Sequence, residues 1–312
     1  MMLRTEDRFR GSMLGLALGD ACGAPHEGGV LAGLAWKAMG RARGETLRWT
    51  DDTQMALGLA GSLAECRGLD PDHLAKRWAE NMDGFRGYGP GARELLTRIR
   101  HGVDWREANR SVFPDGSFGN GAAMRTAPLG LFFHDDLKAL AGAASHAASI
   151  THAHPLGIEG AVLVSAAVAL AMREDFEPAA FADALYGFCS QGAYTTRLDL
   201  VRGFLEARPS PAEIRGALGN SVLAHESSVT AIQIFLSHRD DFGDLLETVL
   251  DVGGDTDTIG AMAGGIFGAH RGFAGLHSNL LDRLEARDEI ERAAARLYGA
   301  WRGTRGESAE RR

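Results

Sequence analysis

The chain of 312 residues carries a formal net charge of −8, and 45% of its residues are hydrophobic. That apolar content is enough for a substantial core. The acidic balance gives no general electrostatic reason to bind nucleic acid or an anionic membrane, so any phosphate site is expected to be local. Three widely spaced cysteines and an N-terminal segment without an apolar run favour a reduced, cytoplasmic compartment.

Helical segments dominate the chain from its N-terminus onward. Ala, Leu, Arg and Glu fill the long segments, and alternating runs rich in Val, Ile and Thr are scarce. This pattern predicts an all-α fold of about a dozen helices. Two start signals support it: Asp70 precedes a first-turn proline, Pro71, and Ser210 and Glu213 have the spacing of a capping box.

A compact orthogonal multi-helix single domain is predicted over residues 1–302. Pro is scarce, Gly and Ala recur evenly, and no linker separates two apolar halves. Residues 303–312 lack apolar periodicity and are predicted to form a flexible C-terminal tail. The apolar stretch from Pro155 to Met172 contains Glu159 and many small residues, which indicates a buried core helix rather than a membrane span.

Two acidic clusters of the same composition each precede a helical run. Residues 50–53 (Thr-Asp-Asp-Thr) precede the run 54–65, and residues 255–258 (Asp-Thr-Asp-Thr) precede the run 259–270. Helix capping alone explains either cluster, because Asp and Thr bind the free N–H groups of a helix N-terminus. If the fold brings the two helix starts together, four carboxylates repel one another unless protons or cations neutralise them.

Oxygen ligands of this kind select hard cations. Carboxylates and hydroxyls favour Mg²⁺, Mn²⁺ or Ca²⁺, and a pair of such ions about 4 Å apart is a recurring catalytic device. Zinc is disfavoured, because His152 and His154 have no cysteine close in sequence; a helix-capping or substrate-facing role suits them better. A dinuclear metal site is therefore expected if the two clusters converge.

Five segments, in this order, resemble those of the ADP-ribosylglycohydrolase family: 19–27 (GDACGAPHE), 49–53 (WTDDT), 87–91 (GYGPG), 116–125 (GSFGNGAAMR) and 253–258 (GGDTDT). The family includes the dinitrogenase reductase-activating glycohydrolase and the eukaryotic ADP-ribosyl-acceptor hydrolases. The resemblance runs from about Arg8 to about Gly272 and implies a compact all-helical fold. It also implies two magnesium or manganese ions held by Thr50, Asp51, Asp52, Asp255, Asp257 and Thr258.

The same resemblance assigns roles to further residues. Glu27 corresponds to the carboxylate that faces substrate near the metals, so we expect a general acid/base or gating role for it, with Asp257 as the second catalytic group. Backbone N–H groups of glycine loops can bind a pyrophosphate without any lysine. Phe118 is available to pack on adenine. Without the family, these positions would be interpreted as ordinary turn or cap residues. The expected substrate-binding residues are Gly89, Gly91, Ser117, Phe118, Gly119, Asn120, Gly121, His152 and Asn220.

The resemblance implies a metal-dependent hydrolase that cleaves the C1″ glycosidic bond between ADP-ribose and a protein side chain. The loop GSFGNG at 116–121 is similar to the GSYGNG form of the branch acting on serine-linked and poly-ADP-ribose, which favours that branch over the arginine-linked one. Phe118 departs from it by lacking the tyrosine hydroxyl. The expected partner is an ADP-ribosylated protein or an ADP-ribose derivative. A phosphodiesterase, a reader of ADP-ribose without turnover and a crystallin-like structural protein remain alternatives.

Overall fold

The computed structural model describes the backbone of residues 3–27, 29–42 and 44–310, and every regular element in these ranges is a helix. This confirms the predicted all-α fold in one domain. The described chain contains more α-helices than the dozen expected, because five of them have eight residues or fewer, too short for apolar periodicity to reveal. The helices are α1 (Thr5–Gly23), α2 (Gly29–Ala42), α3 (Asp51–Cys66), α4 (Pro71–Asn81), α5 (Pro90–Arg100), α6 (Trp105–Val112), α7 (Ala127–Phe132), α8 (Leu137–Ser149), α9 (Pro155–Ala171), α10 (Pro178–Leu185), α11 (Gly192–Ala207), α12 (Pro211–Leu218), α13 (Ala224–Ser237), α14 (Phe242–Val252), α15 (Thr256–Arg271), α16 (Ser278–Leu281) and α17 (Arg287–Glu310).

Helices α4 and α12 begin where the sequence predicted. The carboxylate of Asp70 accepts hydrogen bonds from the backbone N–H groups of Asp72 and His73, both at 3.0 Å. Ser210 and Glu213 form the predicted capping box, in which the Ser210 hydroxyl oxygen accepts from the Glu213 N–H. These bonds satisfy donors that the first turn of a helix otherwise leaves free.

Helix α9 is the predicted core helix. Most of its residues are buried, including Glu159, whose carboxylate accepts hydrogen bonds from the backbone N–H groups of Ser190 and Gln191. The buried charge is thus bonded to the start of a neighbouring helix, as burial of a carboxylate requires. Within the described ranges no helix is both long and apolar enough to cross a membrane.

Helices α1 and α15 pack antiparallel along a line of glycines. Gly11 lies against Gly268, and Gly23 at the other end of α1 lies against Thr256. A Cβ atom at any glycine of this line would collide with the backbone of the opposite helix. The spacing of four residues keeps the glycines on one face of each helix. We call this contact the glycine seam; it contains Gly11, Gly15, Gly19 and Gly23 of α1 and Gly260, Gly264 and Gly268 of α15.

The C-terminal part of the chain is fixed to the segment that leads into α3. The carbonyl oxygen of Glu285 accepts a hydrogen bond from Trp49 Nε1 at 2.9 Å, and its carboxylate pairs with Arg86 at 2.7 Å. The N–H of Glu285 donates to the carbonyl of Leu47. We call these four residues the C-terminal clamp. The clamp fixes the path of the chain as it enters α3.

Helix α17 continues through residues 303–310, where the sequence predicted the first part of an irregular tail. Just before this segment, the ring of Trp301 packs on Phe9, and within the segment the hydroxyl of Thr304 donates to the Trp301 carbonyl at 2.7 Å. Because the helix is held by core packing at that point, its backbone hydrogen bonds carry on beyond it. The flexibility expected for 303–312 stays a prediction.

Candidate active site

The two acidic clusters meet at one end of the glycine seam. Helices α3 and α15 begin at the clusters, and the turn after α1 brings Glu27 to the same place. Carboxylate oxygens of Glu27, Asp255 and Asp257 lie within 4.8 Å of one another. The charge of Asp255 acts on Asp52, and that of Asp52 acts on Asp257. We call Glu27, Asp51, Asp52, Asp255 and Asp257 the acidic centre.

The first turn of α3 positions one half of the acidic centre. Thr50 is the N-cap of this helix, and its hydroxyl oxygen accepts a hydrogen bond from the N–H of Asp52 at 3.3 Å. The N–H of Asp51 donates to the carbonyl of Arg86 at 2.8 Å, which attaches the loop before α5 to the centre. Capping at this cluster therefore uses a threonine hydroxyl and needs neither carboxylate.

The start of α15 positions the other half. The N–H of Asp255 donates to the carbonyl of Asn220 at 2.9 Å, and the carboxylate of Asp255 accepts from Asn120 Nδ2 at 2.5 Å. The N–H of Thr258 donates to Asp257 Oδ1 at 2.8 Å. The Asn120 amide connects the loop that contains it to a carboxylate of the acidic centre, and the substrate contact expected of Asn120 stays a prediction.

Asp20 connects α1 to the α3 half of the acidic centre, and no role was predicted for it from the sequence. It is fully buried in α1 and accepts hydrogen bonds from the backbone N–H groups of Thr50 and Thr53, at 2.9 and 3.1 Å, and from the Thr53 hydroxyl. A helix on one side of the glycine seam thereby fixes the start of α3. The signal was available, since Asp20 is an isolated carboxylate in a segment that is otherwise small and apolar.

The surroundings of the acidic centre disfavour the charged form of its carboxyl groups. Burial raises the pKa of Asp20 to about 6 and that of Asp51 to about 7. For Asp52 and Asp257, burial and then the charges of neighbouring carboxylates raise the pKa well above its ordinary value. Loss of solvent also raises the pKa of Glu27. Each shift favours uptake of protons or cations at this place.

The donor atoms of the centre fit a hard divalent cation. Asp52 Oδ2 is buried and has no hydrogen-bond partner in the part of the chain that the structure describes. Such an oxygen is costly to leave unbound, and a cation is one partner that satisfies it. Carboxylates and threonine hydroxyls together are the oxygen ligands that Mg²⁺, Mn²⁺ and Ca²⁺ prefer. The acidic centre can therefore hold a metal.

A buried guanidinium lies beside the acidic centre. Arg125 is 2% exposed, and its guanidinium carbon lies 4.0 Å from the centroid of the Trp78 ring. Its Nη2 donates to Thr151 Oγ1 at 2.6 Å. Burial lowers the pKa of Arg125 to about 9, and the charges of Asp51 and Asp52 oppose that shift. The positive charge of Arg125 therefore offsets part of the negative charge of Asp51 and Asp52.

Residues 116–121, which we call the glycine loop, rest on the turn 151–154. Gly116 has a φ of +78°, and a Cβ atom there would collide with the backbone of the turn. The ring of His152 lies beneath the loop, 3.1 Å from the position that a Cβ of Gly121 would occupy. The loop and the turn therefore form one rigid unit, which the Asn120 amide joins to the acidic centre.

Phe118 stands out from the loop as an exposed ring. It is 46% exposed and meets the ring of His154 edge-on, with the centroids 5.3 Å apart. His154 is the N-cap of α9, because its Nδ1 accepts from the Leu156 N–H at 3.1 Å, which is the helix-capping role expected for it. The pair offers an apolar face on which a base can stack.

Two backbone N–H groups of the glycine loop, where pyrophosphate binding was expected, form hydrogen bonds within the protein. The N–H of Gly119 donates to Ser117 Oγ at 3.3 Å, and the N–H of Asn120 donates to the carbonyl of Val222 at 2.9 Å. These two N–H groups hold the glycine loop in shape. They therefore position whatever the loop binds, and they are not free donors in this structure.

Three further predicted residues have different surroundings. Gly89 begins α5 with open space around it, whereas Gly91 lies directly against the ring of Phe113. The Phe113 ring leaves no room for a side chain at position 91. Asn220 donates through Nδ2 to the carbonyl of Val252 at 3.0 Å, so its side chain holds the turn between α14 and α15. Among the three, Gly89 has the room for a ligand.

The acidic centre thus combines four carboxylates at two helix N-termini with the exposed carboxylate of Glu27, and the glycine loop is joined to it through Asn120. The model of the family described as ADP-ribosylglycohydrolase matches residues 1–307. The chain belongs to the ADP-ribosylglycohydrolase family, as its five segments predicted, and it is a hydrolase that acts on glycosidic bonds.

Relatives and a solved structure agree with this assignment. ADP-ribosylhydrolase ARH3 of Mus musculus is 32% identical over 95% of this chain and 92% of its own length. The protein of the same name from Danio rerio is 33% identical over 93% of this chain and 90% of its own. A solved structure titled ADP-ribosylglycohydrolase-related protein complex superposes with a TM-score of 0.73 at 28% identity, covering 95% of this chain and 99% of that one.

Proposed function

We propose that this protein hydrolyses the C1″ bond between ADP-ribose and a protein side chain, at the acidic centre and with divalent cations. The observation that carries the proposal is the convergence of the two helix N-termini, with Glu27, Asp255 and Asp257 within 4.8 Å and the buried Asp52 Oδ2 without a partner in the described chain. A centre of this kind accepts cations, and the Asn120 amide joins the glycine loop directly to it.

The oxygens that would hold two Mg²⁺ or Mn²⁺ ions come from both helix starts. When bound, the cations would supply positive charge that orients ribose hydroxyls and makes water a better nucleophile. Within the protein, Asp20 keeps the start of α3 in place through its bonds to Thr50 and Thr53. The proposed ligands are Thr50, Asp51, Asp52, Asp255, Asp257 and Thr258.

Glu27 and Asp257 would handle the proton. Glu27 is the exposed member of the acidic centre, so substrate can reach it, and partial burial raises the pKa of its carboxyl group, which favours the protonated form that a general acid needs. Asp257 lies beside it and shares its electrostatic environment. Positive charge that develops on the sugar during cleavage would be stabilised by the same carboxylates.

The glycine loop would bind the ADP part of the substrate. Phe118 and His154 would offer the stacking surface for adenine, and the open position at Gly89 would leave space for part of the diphosphate. The GSFGNG sequence and the similarity to proteins named ADP-ribosylhydrolase ARH3 favour serine-linked or poly-ADP-ribose substrates, with arginine-linked ones next. Ser117, Gly119, Asn120 and Gly121 would shape this surface, together with His152 below it.

The test is release of ADP-ribose from serine-linked and arginine-linked peptides, assayed side by side with Mg²⁺ or Mn²⁺ and then with chelator. We expect release from the serine-linked peptide that chelator abolishes. Faster release from the arginine-linked peptide would reverse the preferred branch. No release from either peptide, with ADP-ribose still bound, would point to a free ADP-ribose derivative as the substrate.

A further inference from the structure

A chain of three buried side chains connects Arg125 to the underside of the glycine loop. Arg125 Nη2 donates to Thr151 Oγ1 at 2.6 Å, and Thr151 Oγ1 lies 2.7 Å from Nδ1 of His152. The three residues are 2%, 2% and 8% exposed. Hydrogen bonds this short between groups shielded from water have little freedom to exchange partners.

The direction of each bond follows from the chemistry of the groups. A guanidinium only donates, so Thr151 Oγ1 must accept from Arg125. Within the described chain, the Thr151 hydroxyl has no neighbour to which it can donate its own proton other than His152 Nδ1. Donation to Nδ1 therefore satisfies every group, whereas a proton on Nδ1 would leave the buried hydroxyl proton without an acceptor. The ring proton of His152 then belongs on Nε2.

Protonation of both ring nitrogens is disfavoured in the same place. Burial, followed by the charge of Arg125, lowers the pKa of His152 to about 3. The imidazole is consequently neutral throughout the physiological range, and a second proton on Nδ1 would also face the Thr151 hydroxyl proton.

The free edge of the ring faces the glycine loop. Nε2 of His152 lies 3.2 Å from the position that a Cβ of Gly121 would occupy and 3.7 Å from that of Gly119. No hydrogen bond from this nitrogen to another described residue is present. An N–H at Nε2 is therefore available to a ligand that the loop holds. Because Gly119 and Gly121 have no side chains, the ligand can approach this N–H.

We propose that Arg125 and Thr151 are positioning residues that hold His152 as a neutral Nε2–H donor for an anionic oxygen bound at the glycine loop. The identity of that oxygen, a diphosphate oxygen of ADP-ribose, rests on the function proposed above. A donor held in this way keeps the same hydrogen-bonding character throughout the physiological pH range. It adds no charge, so product can leave without breaking an ion pair.

The test combines nitrogen NMR of the histidine rings with calorimetric binding of ADP-ribose in Mg²⁺. In the wild-type protein we expect the His152 ring to carry its proton on Nε2, with the signals assigned by their loss in His152→Asn. Thr151→Val removes the hydroxyl and nearly keeps the shape. It should shift the ring toward the other tautomer and weaken ADP-ribose binding about three- to tenfold, with kcat changed less than KM. Thr151→Ser should restore both.

A matched control is present elsewhere in the fold. Thr248 is also buried and bonds through Oγ1 to a histidine, His238, at 2.9 Å, but this pair lies at the C-terminal end of α13, whereas the glycine loop bonds to its N-terminal end. Thr248→Val should leave the His152 signals and the ADP-ribose affinity unchanged.

The outcomes separate the two proposals. A wild-type His152 ring protonated on Nδ1, or an unchanged tautomer in Thr151→Val, would overturn the positioning role; the wild-type spectrum decides even if that variant fails to fold. An Nε2–H tautomer that depends on Thr151, in a protein that does not bind ADP-ribose, would keep the positioning role and remove the proposed ligand.

Discussion

Glycine has opposite purposes in two regions of this molecule. In the glycine seam, the missing side chain lets α1 and α15 touch, and a methyl group at Gly15 or Gly19 would collide with the opposite backbone. At Gly89, a methyl group would meet nothing within 4 Å. The seam uses glycine to bring two helices together, whereas the glycine at position 89 leaves a space empty.

The difference shows how the site is assembled. The seam sets the distance between the C-terminal end of α1, which contains Asp20, and the N-terminal end of α15, which contains Asp257. The open glycine contributes nothing to that distance and borders the space where a ligand fits. A substitution in the seam should therefore act on the fold, and one at the open position should act on binding.

The largest expected effect is in the seam. Gly19→Ala places a methyl group against the Gly260 carbonyl, and we expect a loss of about 3 kcal/mol in the free energy of unfolding, measured with urea. Gly203→Ala is the control, because Gly203 is exposed in α11 with no atom near its Cβ position; it should gain about 0.5 to 1 kcal/mol. Equal stability of the two variants would refute the seam.

The second-largest expected effect is on activity, at Asp257, a carboxylate whose position the glycine seam sets. Asp257→Asn should lower kcat/KM for ADP-ribose release about 100-fold, or about 2.7 kcal/mol in the barrier, without loss of folding. The matched variant Asp251→Asn changes an exposed carboxylate six residues earlier and should retain full activity. Full turnover by Asp257→Asn would remove that residue from the mechanism.

A smaller effect concerns metal and pH. In metal-free protein the raised pKa values of Asp20 and Asp51 mean that the folded state holds protons which the unfolded chain has released, so their contribution to stability falls as pH rises from about 4 to about 7. Saturating Mg²⁺ should raise the free energy of unfolding by about 2 kcal/mol at pH 7.5. At pH 5, where protons compete for the same oxygens, the gain should be less.

Urea denaturation in Mg²⁺ and in chelator at both pH values measures this difference. The Asp52→Asn variant, with one carboxyl group fewer, should show a flatter pH profile in chelator. An equal Mg²⁺ effect at pH 5 and pH 7.5 would mean that the cation binds away from the acidic centre.

The smallest effect is at the open glycine. Gly89 has a φ of −59°, which alanine adopts freely, and no atom lies near its Cβ position. Gly89→Ala should leave stability unchanged and weaken ADP-ribose binding about tenfold, or about 1.4 kcal/mol. Gly84→Ala, a change at an equally open position of the preceding loop, is the control and should alter neither quantity. Loss of stability in Gly89→Ala would erase the contrast with the seam.

Local signals explain what the sequence predicted correctly. Composition and caps such as Asp70 and Ser210 indicate helices without reference to the rest of the chain, and the motifs at 50–53 and 255–258 identify the acidic clusters. The seam was missed although its spacing of four residues is visible in both helices. Isolated glycines are interpreted as helix breakers until the partner helix is known.

Contacts between distant residues could not be predicted. The bond from Arg125 to Thr151 joins residues 26 positions apart, and Asp20 reaches Thr53 across 33. The roles expected of Asn120 and Asn220 illustrate the same limit, because their side-chain amides have partners inside the protein that only the fold reveals. Residue type and spacing show which groups are present, and packing decides which of them remain free.

The C-terminal clamp has a consequence for the time at which the protein becomes active during synthesis. Trp49 and its partner Glu285 are 236 positions apart, so the ribosome delivers the two members of this contact far apart in time. Until residues 255–285 have emerged, Thr50 and its neighbours have neither the clamp nor the α15 half of the glycine seam to hold them. A shorter nascent chain therefore has three of the five carboxylates of the acidic centre, but no assembled centre.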